Sequence, residues 1–138
     1  MIKPKRIWTA LLLCLLLAVS ACSKGRELSA DEIRTLFSNK TVRGFHEIKK
    51  YRFQSYYDPV GVFRSWQGEK RILRTGKWWV TDNDEICIRW NRTDTDLCRR
   101  MITDDNNQYW KVKVSPVIGT HKRVVIFSMF ENGNPYEL

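Results

Sequence analysis

From Lys40 onward, apolar and polar residues take turns in short runs, and a turn signal interrupts them about every ten residues. Tyr51, Phe53 and Ser55 alternate with Arg52 and Gln54, and Val62, Arg64 and Trp66 with Phe63 and Ser65. Ile86, Ile88 and Trp90 alternate with Glu85, Cys87 and Arg89. Trp110, Val112 and Val114 alternate with Lys111 and Lys113, the clearest case in the chain. A side-chain period of two marks strands that lay an apolar face on a core and turn the other face away from it. Turn-forming clusters separate the runs at Asp58-Pro59-Val60-Gly61, Gln67-Gly68, Thr81 to Asp84, Asn91 to Thr95 and Asp104 to Asn107. The pattern predicts seven or eight strands, near 41–46, 50–57, 61–67, 70–80, 85–90, 96–102, 108–114 and 122–130. Connections this short favour pairing in sequence order, so the expected fold is mainly β, an antiparallel meander. Such a meander curls into a twisted sheet or a small lipocalin-like barrel, because closure removes exposed edges.

One helix precedes the strands. Ser29 and Glu32 form a capping box, Leu28 and Ile33 stand at staple positions, and Asp31 and Glu32 put negative charge at the positive end of the helix dipole. Ile33, Leu36 and Phe37 share one face, and Asn39 suits the C-terminal cap, so residues 30–38 are expected to be helical and to pack on a sheet opening or edge. Residues 131–138 are polar and are expected to be loose.

The first 21 residues read as an export leader. Lys3, Lys5 and Arg6 precede an apolar run from Ile7 to Val19, too short to span a bilayer and suited to a signal sequence. The stretch Val19-Ser20-Ala21-Cys22 resembles the lipobox of bacterial lipoproteins. The resemblance implies cleavage before Cys22, acylation of its thiol, and, with Ser23 next, sorting to the outer membrane facing the periplasm. Attachment through more than one acyl chain is stable where a single chain is marginal. The expected organisation is a signal peptide over 1–21, a tether over 22–27 and one domain over 28–138. The leader holds three of the 24 basic residues and none of the 15 acidic ones, so the net charge of +9 becomes +6 in the mature chain. That balance favours anionic surfaces, while export makes nucleic acid a poor partner.

Cys87 and Cys98 lie almost equidistant from the turn at Asn91 to Thr95, which places them opposite each other across one hairpin. In an exported domain they are expected to form a disulfide. Motifs for catalysis are scarce. The two histidines, His46 and His121, stand apart from any nucleophile or metal pattern, and no metal or other cofactor is expected. The acidic turns Asp82-Asn83-Asp84-Glu85 and Asp104-Asp105 lack the ligand spacing of a calcium loop. Trp78 and Trp79 are adjacent, so on a strand they face opposite ways; with Trp90 they are the candidate ligand or partner contacts.

From Leu28 onward the chain also resembles a family of small exported bacterial proteins with a domain of unknown function. The likeness rests on L-S-A-D-E-I-R-T-L-F (28–37), N-K-T-V-R-G (39–44), Tyr56-Tyr57-Asp58, G-K-W-W-V (76–80), D-N-D-E-I-C-I-R-W (82–90) and Cys98. It departs at Asp58-Pro59-Val60-Gly61, where an Asp-Gly turn is more usual and a longer loop is expected. The resemblance implies a fold and no catalytic residues. The expected function is a membrane-anchored binding or structural module engaging an envelope protein, a glycan or a small apolar ligand. The alternative is a small hydrolase-type enzyme using His46 or His121 with acidic turn residues.

Overall fold

The computed structural model describes residues 25–114 and 121–138, with the side chains of Val114 and His121 excepted. The leader, Cys22 and most of the tether lie outside the described residues. Strand β1 (Arg26–Glu27) is followed by helix α1 (Ala30–Phe37) and then by β2 (Lys40–His46), β3 (Tyr51–Tyr57), β4 (Val62–Gln67), β5 (Ile72–Val80), β6 (Glu85–Trp90), β7 (Leu97–Thr103), β8 (Tyr109–Val114) and β9 (His121–Asn132). Strands β2 to β9 pair antiparallel in chain order, and β9 returns to pair with β2, closing an eight-stranded lipocalin-like barrel. The eight expected strands are all present, with ends shifted by no more than two residues.

The helix forms where its caps place it. Ser29 accepts from the Glu32 N–H, Glu32 accepts from the Ser29 N–H, and the residue after the C-cap, Asn39, takes the left-handed φ of 56° that an asparagine tolerates. A third contact comes from outside: Asp84, in the β5–β6 turn, accepts a 2.6 Å hydrogen bond from the Ala30 N–H. The acidic turn at 81–84 thus stabilises a helix N-terminus, satisfying a donor that no residue of the helix can reach.

Held there, α1 closes one end of the barrel. Ile33 and Phe37 are fully buried. The Phe37 ring meets Tyr57 at 4.8 Å, Phe127 at 5.3 Å and Phe130 at 5.4 Å between centroids, each edge-on. Phe127 and Phe130 both reach it because β9 carries an extra residue: Gly44 pairs with Phe127 and Arg43 with Met129, leaving Ser128 as a bulge. Gly44 is required at that kink, since a Cβ there would stand 2.6 Å from the Phe53 ring.

The disulfide joins Cys87 and Cys98, directly opposed on β6 and β7. The loop at 58–61 is a four-residue connection closed by a β-turn, the Gly61 N–H donating to the Asp58 carbonyl at 3.0 Å, and tied down by the Trp78 indole, which donates to the same carbonyl at 2.8 Å.

Arg26 and Glu27 pair with Thr103 and Ile102, where β7 has run past the end of β6 and offers a free edge. Two expectations are corrected. The C-terminal residues are docked, with β9 reaching Asn132, Asn134 and Leu138 exchanging two 2.9 Å hydrogen bonds, and Leu138 buried. Lastly, β8 faces the opposite way from its apolar pattern. Lys111 points into the barrel, while Trp110 stands with Ile102 on the outside against Gly25. The outer face is apolar there where Gly25, just before β1, packs on Ile102 and Trp110.

Replacing Phe37 with alanine removes the plug. A loss of about 3–5 kcal/mol is expected in urea unfolding followed by circular dichroism; a loss below about 1 kcal/mol would show that α1 does not close the barrel.

Candidate ligand-binding site in the barrel

At the end opposite α1 the barrel interior is not filled. The inward positions of β3 and β4 there are Ser55 and Ser65, directly paired, with their hydroxyls 2.8 Å apart. Two small residues at mid-barrel, where large ones would interdigitate, leave a cavity of about 100 Å³. It has space for a few waters or part of a small organic molecule. Its apolar wall includes Phe63, Ile88 and Trp90, and Leu97 lies at its rim, 37% exposed. The face of Trp90 is also covered by the guanidinium of Arg74, 4.6 Å from the ring centroid.

The cavity wall carries basic side chains and no acidic ones among the described residues: His46, Lys49, Arg99 and Lys111 line it. Lys111 is the most constrained of them. Its side chain is 6% exposed, and its ammonium lies 5.5–5.6 Å from the centroids of Phe37, Tyr57 and Phe127. Its one polar contact among the described residues is the Tyr57 hydroxyl at 3.3 Å. Burial strips the ammonium of water, and the Arg99 guanidinium adds repulsion, so the Lys111 pKa is pushed down to about 7. Burial raises the Tyr57 phenol well above its usual range, keeping it a neutral donor and acceptor. The His46 pKa is lowered, first by partial burial and then by Lys49, Lys111 and Arg99. Its Nδ1 accepts from the Lys49 N–H at 3.2 Å.

The candidate residues named from sequence are divided by the barrel wall. Trp90 lines the cavity. Trp78 faces inward but packs in the core against Tyr57, so it is committed to the fold. Trp79 pairs with Cys87 on the outward face, with Arg89 5.8 Å from its ring. The charged groups that act on His46 are the cations Lys49, Lys111 and Arg99, and the acidic turns are engaged elsewhere. Asp84 holds α1, and Asp104 accepts from the Asn106 and Gln108 N–H groups of its own turn. No group of three or more metal-ligating side chains occurs among the described residues. Sequence reasoning missed Lys111, Tyr57 and the two serines.

No family model, curated protein or solved structure matches this chain, so its function is read from these residues alone.

The buried lysine has a measurable signature. An unfolded chain titrates this group near its ordinary 10.5, the folded one near 7, so between those values the unfolded state binds more protons and stability rises with pH. Below pH 7 both states hold the proton and the penalty is complete, on the order of 5 kcal/mol. Urea midpoints are therefore expected to climb from pH 7 to pH 9.5, and Lys111→Met should flatten the climb and raise the midpoint at pH 7. A wild-type midpoint that stays level over that range would contradict a buried, unpaired lysine.

Proposed function

We propose that this protein is a lipoprotein of the bacterial envelope whose barrel holds a small ligand. Acyl chains on Cys22 keep it at the outer membrane facing the periplasm, and the ligand occupies the unfilled end of the barrel. The observation that carries the binding reading is a closed barrel, plugged at one end by Phe37, whose other end keeps a cavity walled by aromatic rings. Ligand sites of small barrels lie in such mouths. The exposed apolar residues add support. Of the five large apolar residues exposed among the described residues, Val60 alone lies in the 58–61 loop at the α1 end, and Ile48, Ile72, Leu73 and Leu97 (47, 59, 54 and 37% exposed) belong to strand ends or turns at the end away from α1. An apolar rim there lets an apolar molecule approach without crossing a fully hydrated collar.

The arrangement favours binding over hydrolysis. A general base needs a partner that orients it or takes up its charge, and the charged groups acting on His46 are cations, which disfavour its protonated form.

Two measurements test the reading. With the leader intact, the chain is expected to incorporate labelled palmitate in cells, and Cys22→Ser to abolish it; equal labelling would remove the anchor. The mature chain carrying Cys22→Ser, titrated with indole, should show NMR shifts gathered around Ser55, Ser65, Ile88 and Trp90. Ile88→Trp, which fills the cavity, should lose them. Shifts that are absent, or unaltered by the filled variant, would remove the ligand site.

A further inference from the structure

We propose that the cavity is a site for a compact monoanion, a carboxylate on a small apolar molecule, seated against Lys111 and Tyr57 with Arg99 in the same wall. The proposal rests on the reading of the barrel as a ligand holder and names the class of ligand.

It follows from a charge that the fold leaves unanswered. Six ion pairs occur among the described residues, every one on the surface, and none involves a residue of the cavity wall. The cations that line the cavity therefore have no carboxylate partner there. An ammonium has three donors, and Lys111 directs one at the Tyr57 hydroxyl. The Phe37, Tyr57 and Phe127 rings attract the cation but accept no conventional hydrogen bond. Buried cations in proteins are ordinarily paired, because removing water from a lone charge is costly. An entering carboxylate supplies both the missing charge and the missing acceptors, in a dry setting where a charge-assisted hydrogen bond is strong. Arg99, whose Nη1 donates to the Cys98 carbonyl at 2.7 Å, is held beside the site and keeps further donors free for it.

The rest of the cavity fixes the shape of the molecule. One buried ammonium and about 100 Å³ suit a single small headgroup. The Ser55 and Ser65 hydroxyls also line the cavity, and Phe63, Ile88 and Trp90 offer an apolar wall for the body. A neutral molecule of the same shape would fill the same space and leave the ammonium unpaired.

Binding should be coupled to a proton. The titratable or charged groups around Lys111 are His46, Lys49, Tyr51, Tyr57 and Arg99; none is an acid that ionises below neutrality. An anion therefore favours the protonated amine, and its affinity falls as pH rises through the range in which Lys111 deprotonates.

Benzoate and benzamide, alike in shape and different in charge, test this on the mature chain carrying Cys22→Ser, by calorimetry and NMR. At pH 6.5 benzoate should bind on the order of tenfold more tightly than benzamide. That preference should shrink by pH 9, and benzoate binding at pH 7.5 should take up protons from the buffer. Lys111→Met should lower benzoate affinity about tenfold or more and leave benzamide within about twofold. Arg99→Gln, which leaves the buried lysine in place, should weaken benzoate less and keep the pH dependence. Equal binding of the two ligands with no pH dependence overturns the anion assignment and leaves the ligand cavity standing. A benzoate preference that survives Lys111→Met overturns the assignment to this residue. Absence of binding by either ligand overturns both the assignment and the cavity reading.

Discussion

The insertion of Phe37 between Tyr57, Phe127 and Phe130 decides what the barrel interior can be. On the α1 side of that ring layer, Leu28 and Ile33 are buried. Above it, the chain places serines where larger residues would fill the space. The plug depends on α1 being held at both the local and the tertiary level. Ser29 and Glu32 satisfy each other's N–H groups, Asp84 satisfies a third donor from the β5–β6 turn, and Arg26 on β1 is paired with Glu32 at 2.9 Å. The last pairing, with the Ser29 N–H, holds the Glu32 carboxyl down to about 2, although the group is exposed and the pair is a weak contributor to stability. With the floor made of rings, the Lys111 ammonium cannot reach water past α1, and its chemistry is directed into the cavity.

Much of this fold was legible in the sequence because its determinants are local. A capping box, a staple and a tolerant asparagine define α1 within one residue of its end. Turn clusters at regular spacing define the strands, and equal distances from one turn pair the cysteines. The features that were not legible are those a neighbour imposes. Arg26 and Glu27 form a strand only because β7 outruns β6. Leu138 is buried only because Asn134 folds it back. Phe127 and Phe130 share the interior only because of the bulge at Ser128, which no periodicity reveals.

The orientation of β8 is more instructive, since its apolar pattern pointed the wrong way. The phase was nevertheless recoverable. On β6, Cys87 opposes Ile86 and Ile88, so the disulfide lies on the outer face, and Cys98 with it. Two-residue steps along β7 then place Arg99 and Met101 inside. Counting back across the turn at 104–108 puts Lys111 opposite Met101. Hydrophobicity suggested one face for Trp110 and the covalent bond required the other. A disulfide sets register for the strands on either side of it, whereas an apolar pattern misleads wherever a second layer covers the outside.

The direction in which β1 runs has a consequence for how the molecule stands. Arg26 pairs with Thr103, at the end of β7 nearest α1, so the described chain begins beside the plugged end. Only Ser23 and Lys24 lie between Cys22 and Gly25, a reach of about 10 Å at full extension. A fatty anchor on Cys22 would hold the plug against the lipid and raise the cavity to the far side, away from the bilayer. Cargo would then be exchanged with the aqueous compartment or with a docked partner, and not drawn directly from the leaflet to which the protein is tethered.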